Sequence, residues 1–172
     1  IKNNNVFIFF GGYDKRNLTP KVVKFLNEIP QKLNLFIPQD LSKKIKNNEN
    51  KQNIIYFSKK DYLKKLSACS ISVTAGGMGL FDSIVLNKKI ICLPQYKHQE
   101  INGKKIASKG AINLIKLNSK NLKTEFSKKF MKVFSKSFLT NKMKSSQNKI
   151  TNFKKIEKTL LMISKVYEKS KY

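Results

Sequence analysis

Short continuous apolar runs alternate along this chain with segments where apolar residues recur every three or four positions. Val6 to Phe10, Leu33 to Ile37, Ile54 to Phe57, Ile71 to Thr74, Lys89 to Leu93 and Ala111 to Ile115 are the runs. Each predicts a strand, and the unbroken run Val6 to Phe10 predicts one buried on both faces. Thr19-Pro20 reads as an N-cap with proline at the first helical position. Val22, Val23, Leu26 and Ile29 then form a helical stripe that Pro30 ends. Asp40 to Lys51 is polar and weakly patterned, so a short helix or a loop is expected. Asp61 to Leu66 predicts a helix with Tyr62, Leu63 and Leu66 inward. Leu80 to Leu86 predicts another. His98 to Lys109 predicts a third, with Ile101 and Ala107 inward and Gly110 as its stop. Towards the C-terminus, Leu122, Phe126, Phe130, Val133 and Phe134 recur at helical spacing. So do Ile150, Phe153, Ile156, Leu160, Leu161, Ile163 and Val166. Thr140 to Gln147 between them has turn composition.

Strands alternating with helices imply βαβ units and a mostly parallel sheet covered on both faces. The expected fold is α/β: one Rossmann-like three-layer domain with about six strands and two extra C-terminal helices. We place that domain at residues 1–118 and the extra helices at 119–172, packing on it or on a partner. The apolar runs are about five residues long, far below the roughly 20 that cross a bilayer as a helix. The chain opens on Ile1, and is read as a fragment or a processed piece.

The net charge of +26 first suggests nucleic acid or an anionic surface. The detail weighs against nucleic acid. Of 36 basic residues all but Arg16 are lysine, whereas arginine is the usual bidentate reader of bases and phosphates. The lysines are spread rather than clustered, and asparagine and isoleucine are also abundant, as an AT-rich coding sequence would produce. Cys69 and Cys92 fit no metal spacing and read as small core residues in a reducing compartment. No metal-ligand cluster is visible, and neither a metal nor another cofactor is expected.

The candidate chemistry lies between Ser67 and Gly110. Ala75-Gly76-Gly77-Met78-Gly79 follows a strand and opens a helix. Glycines let a backbone approach an anion closely, and free N–H groups at the positive helix end hold it. After the next strand comes a loop with the only histidine, His98, beside Gln99, Glu100 and Asn102. Loops at the C-terminal ends of parallel strands line the ligand crevice, so the two should share a cleft. Each feature also has a bland reading. Gly76-Gly77 suits a tight turn, Asp82 an acid favoured in a first helical turn, Phe57 a core residue, and His98 an exposed loop residue. The spaced glycines of dinucleotide enzymes and the Walker lysine loop are both absent.

The stretch after the first strand, Gly11-Gly12-Tyr13-Asp14-Lys15-Arg16-Asn17-Leu18-Thr19, resembles the opening of the C-terminal domain of UDP-sugar hydrolases of pseudaminic acid synthesis. Spore-coat polysaccharide proteins share that opening. Ser67 to Gly110 resembles the donor-binding region of the same group, and is similar to that of the lipid-II-forming N-acetylglucosaminyltransferases. All have the two-Rossmann-domain GT-B architecture, and the resemblance runs from about Val6 to Ile115. It implies the C-terminal, UDP-sugar-binding half of an enzyme of surface-glycan synthesis. Hydrolysis of a UDP-linked deoxy-amino sugar is the first reading; transfer from a UDP-sugar, or a donor-binding non-catalytic subunit of a split transferase, is the alternative. By position it places Gly11, Gly12, Gly76, Gly77, Met78 and Asp82 on nucleotide and phosphate. Phe57 and Ser58 fall at the base, and His98, Gln99 and Asn102 at sugar and phosphates. No catalytic residue is assigned: the general base would lie on an N-terminal Rossmann domain or partner subunit. The expected location is the cytoplasm, or the inner face of the membrane if the lysines make a peripheral contact. Four positions depart from the family pattern. Gly79 stands for serine or threonine, Asp82 for glutamate, and Asn87 and Lys89 for a glycine and a proline.

Overall fold

The computed structural model describes residues 4–45, 51–135 and 137–151. The strands are β1 (Asn5–Phe9), β2 (Asn34–Pro38), β3 (Asn53–Phe57), β4 (Ile71–Thr74), β5 (Lys89–Cys92) and β6 (Asn113–Leu114). They form one sheet in the order β3-β2-β1-β4-β5-β6, every pair parallel. The helices are α1 (Leu18–Asn27), α2 (Tyr62–Ala68), α3 (Met78–Val85), α4 (Lys97–Ala107), α5 (Leu122–Ser135) and α6 (Ser137–Ile150). The expected single α/β domain with six parallel strands is what the chain forms.

Side chains alternate across the sheet because successive residues of a strand point to opposite faces. Val6 and Ile8 join one core cluster with Val22 and Leu26 of α1 and Phe126 and Phe130 of α5. Phe7 and Phe9 face the other way, with Leu66 and Tyr62 of α2. Leu80 and Ile84 of α3 meet Ile106 of α4 on that second side. Phe25 of α1 and Phe126 of α5 bring their ring centroids to 5.8 Å. The stripe from Phe126 to Phe134 is therefore packing surface.

Several local expectations are corrected. Thr140 to Gln147 is not a link: it lies within α6. Its polar composition hid two inward residues one turn apart, Met143 and Gln147. The Gln147 side-chain amide donates to the carbonyls of Lys88 and Ala111 at 2.8 and 3.0 Å, so α6 is anchored beneath β5 and β6. Leu63 is 60 % and Ile101 45 % exposed, so neither faces inward. In α4 the buried positions are Glu100, Gly103 and Ile106, and Ala107 packs partly buried beside them as expected. The sixth strand is only Asn113–Leu114. Where it is described, the stretch from Asp40 forms a short 3-10 helix, Gln39–Lys44, one of the two expected outcomes. Apart from Ile150, the apolar residues of the last predicted helix, Phe153 to Val166, lie outside the described residues.

Thr19 is not the N-cap of α1. The buried Asp14 carboxylate reaches forward and accepts from the N–H groups of Leu18 and Thr19 at 2.8 and 2.7 Å. The end of α3 explains another departure. Asn87 takes the left-handed conformation, φ 52°. Its N–H donates to Ile84 and that of Lys88 to Ser83, closing the helix in a Schellman motif. Asparagine is the residue after glycine best suited to that position.

Replacing the fully buried Phe130 by alanine should cost about 3–5 kcal/mol through lost burial and a residual cavity. The midpoint and slope of urea unfolding measure this. Cys69 and Cys92 are both free and buried, and burial pushes each thiol up to about 12. Neither should react with a thiol reagent at pH 8 until denaturant opens the fold, because the thiolate is the reactive form. Protons bind more tightly to the folded state here. Their contribution to stability is therefore complete at neutral pH and lost as pH rises from about 9 towards about 12.

Candidate functional site

β1 has β2 on one side and, on the other, β4, which the chain reaches by crossing back from β3, so the direction of strand order reverses at β1 and β4. Such a reversal opens a crevice at the C-terminal ends of the strands. A cleft of about 320 Å³ lies there. Phe9, Phe57 and Tyr62 give it an aromatic wall. Gly11 and Gly12 enter from the β1 loop, Pro38 to Leu41 from the β2 loop, and Met78, Gly79 and Asp82 from α3.

The aromatic wall is built from the strand ends. Phe57 stacks on Phe7 with centroids 4.9 Å apart, and Tyr62 meets the edge of Phe9 at 4.9 Å. Phe57 is thus a core residue that also lines the cleft, so its two readings coincide. Ser58 lines the cleft too and donates from its hydroxyl to Asp61 at 2.8 Å. Lys59 supplies a cation at the rim. The Tyr62 hydroxyl donates to Asp82 Oδ2 at 2.9 Å. Burial, then the hydrogen bond to Asp82 and its charge, push the phenol well above its ordinary value, so Tyr62 stays a proton donor.

The glycine turn forms as the local pattern predicts. Gly77 precedes α3 and no side chain caps the helix. Leu80 N–H turns back to Gly77 O at 3.0 Å, which leaves the N–H groups of Met78 and Gly79 as the orphan donors of the first turn. Two close approaches hold the turn. A Cβ on Gly76 would lie 2.5 Å from the Gln99 carbonyl oxygen. One on Gly79 would lie 3.0 Å from both Phe9 and Thr74. Gly11 has φ 93°, a backbone that side chains disfavour.

The β5–α4 loop is arranged differently from the expectation. Gly76, Gly77, His98, Gln99 and Asn102 do not line the cleft. Gln99 is half-buried and its Oε1 accepts from Gln95 N–H at 2.8 Å. The Gln95 amide in turn donates to the carbonyls of Phe10 and Tyr13 at 2.6 and 3.1 Å. Arg16 donates to the carbonyls of Pro94 and Leu117, both at 2.8 Å. The single arginine is therefore a structural tie. His98 is exposed and stacks on Tyr96, centroids 5.5 Å apart. Asn102 is exposed one turn further along α4. Sequence reasoning missed Tyr62, Lys59, Gln95 and Arg16 as shapers of the site. Tyr62 carried a usable signal, a hydroxyl on an inward position. Gln95 and Arg16 act across 78 to 101 residues of chain, which no local pattern carries.

Among solved structures, the spinosyn rhamnosyltransferase SpnG superposes with a TM-score of 0.70 at 19 % identity, over 88 % of this chain and 42 % of SpnG. The Acinetobacter baumannii protein MurG gives 0.70 at 17 %, over 86 % of this chain and 46 % of its own. The chain has the fold of the C-terminal half of a GT-B glycosyltransferase. The calicheamicin glycosyltransferase CalG4 agrees, with a TM-score of 0.60 at 8 % identity over 88 % of this chain. SpnG has also been solved with thymidine diphosphate. The chain spans less than half the length of each of these GT-B structures. No protein-family model and no curated protein sequence matches it. SpnG and CalG4 are transferases by title and no named neighbour is a hydrolase by title, so the expectation of a sugar-nucleotide hydrolase finds no support among them. No helix among the described residues is long and apolar enough to cross a membrane.

The glycines separate by their surroundings. Gly76→Ala should destabilise the fold by roughly 1–3 kcal/mol, because backbone must shift to admit the methyl. Gly12→Ala, with open space at its Cβ, should leave the urea midpoint almost unchanged.

Proposed function

We propose that this chain is the donor-binding half of a GT-B glycosyltransferase and takes a UDP-sugar in the cleft over β1 and β4. The observation that carries the proposal is the cleft itself. It joins an aromatic wall, a carboxylate and the uncapped start of α3 in one crevice at the reversal of strand order. The likeness in fold to SpnG, solved with thymidine diphosphate, supports the same assignment.

In this reading the base lies against Phe57 and Ser58 and the ribose meets Asp82. The diphosphate takes the N–H groups of Met78 and Gly79, with Gly77 immediately before them at the helix start and Gly11 and Gly12 leaving room for it. His98 and Asn102, one turn apart on the exposed flank of α4 and outside the cleft lining, meet only the part of the sugar and phosphates that extends beyond the cleft. Gln99 acts indirectly, packed on Gly76 and tied to Gln95. An acceptor oxygen attacks the anomeric carbon, and the bond from that carbon to the diphosphate breaks. The acceptor's proton goes to a base on the other half of the enzyme, an N-terminal domain or a partner subunit. Fixed N–H dipoles stabilise the charge that grows on the departing UDP. This chain by itself binds and does not turn over.

Calorimetric titration with UDP, with CMP and a short DNA duplex as controls, tests the proposal. Saturable UDP binding is expected. Gly77→Val should abolish it while leaving the melting temperature nearly unchanged, since a Cβ there meets only the end of the Gln99 side chain, at 3.6 Å. Duplex binding that falls steeply with salt, without UDP binding, would replace the proposal with a nucleic-acid role.

A further inference from the structure

Two departures from the family pattern meet at one contact. Glycine stands at position 79 where serine or threonine was expected, and aspartate at 82 where glutamate was expected. A Cβ on Gly79 would lie 3.2 Å from the Tyr62 hydroxyl oxygen. The absent side chain is thus the space the tyrosine hydroxyl uses. That hydroxyl donates to Asp82 Oδ2 at 2.9 Å. The ring cannot easily swing away, because it is wedged edge-on against Phe9 at 4.9 Å and Phe7 at 5.4 Å. Among the described residues, nothing else donates to the Asp82 carboxylate or pairs with it.

We infer that Tyr62 is a specificity determinant of the cleft: it occupies one oxygen of Asp82, leaves the other for the nucleotide, and so lets ribose and 2′-deoxyribose nucleoside diphosphates bind nearly alike. The inference rests on the donor-site reading above. A carboxylate that grips a vicinal diol uses both of its oxygens, one for each hydroxyl. With Oδ2 already accepting from the tyrosine, Oδ1 is the oxygen left without a protein donor among the described residues, and in this reading its partner is the 3′ hydroxyl. The 3′ hydroxyl is common to both sugars. Loss of the 2′ hydroxyl then removes no bond to the charged acceptor. The shorter acid and the missing side chain at 79 are parts of the same device. The aspartate holds its carboxylate back within reach of the tyrosine, and the glycine admits the tyrosine hydroxyl beside it.

The test compares UDP with 2′-deoxyUDP on the parent chain and on Tyr62→Phe, by an NMR titration that registers millimolar affinities. Melting curves of both proteins establish that the fold is kept. On the parent chain the two ligands should differ by less than about threefold, as for a hydroxyl without a charged partner. Tyr62→Phe frees Oδ2, so preference for UDP should rise about tenfold, the effect of one hydrogen bond to a charged group. The inference is overturned if the parent already prefers UDP by tenfold or more, if Tyr62→Phe leaves the ratio unchanged, or if it weakens both ligands equally. The last result would mark Tyr62 as structural only. Should the parent bind neither nucleotide, the donor-site reading falls first and the specificity falls with it.

Discussion

The close approach at the start of α3 is the constraint on which this fold's upper edge depends. Gly79 is clamped between the end of β1, the end of β4 and the Tyr62 hydroxyl. Gly76 is pressed onto the first turn of α4. These contacts locate α3 in two directions, against the sheet and against the next helix. A methyl group at either point would lift the helix from the crevice. The uncapped N–H groups of α3 are therefore held at a set height above the strand ends, where a preorganised dipole is of most use to an anion.

Buried amides and one guanidinium do for the loops what apolar side chains do for the layers. Gln95 binds the β1 loop to the β5 loop, and Arg16 ties the β5 loop to the segment after β6. Gln52 donates to the Leu26 carbonyl and accepts from Leu33 N–H at the lower edge. Asp14 closes the start of α1. Loop backbone must find partners wherever it is taken out of water. Here long polar side chains provide them, and the loops around the cleft become a framed rim.

The polar chemistry at the cleft is sparse, and its meaning comes from pairing. Asp82 alone is a carboxylate near the start of a helix. Beside Tyr62 it is an acid with one oxygen engaged and one left over. Tyr62 alone is a partly buried aromatic of a short helix. Beside Gly79 it becomes a donor that a larger residue would displace. The abundant lysines contribute little here: among those at the cleft, Lys59 stands at the rim.

The sheet, its parallel sense, the glycine turn and the core were legible from sequence. Each depends on short-range periodicity: doubly buried strands read as unbroken apolar runs, and α1 and α5 read as stripes. The stripe of α5 was legible for the same reason, through Phe126, Phe130 and Phe134. What failed were segments whose structure is decided by one or two distant contacts. α6 looks like a turn because its helix is anchored by Met143 and Gln147 rather than by a full apolar face. Thr19 looks like a cap because the true cap, Asp14, reaches over a loop. His98 and Gln99 looked equivalent, yet one is exposed and the other is half-buried and tied to Gln95. By itself the sequence determined the layered α/β fold and the glycine turn that opens α3, because burial and backbone freedom are written locally. Only the tertiary structure decided which polar side chains remain available to a ligand, because each hydrogen-bond partner is set by residues far away in the chain.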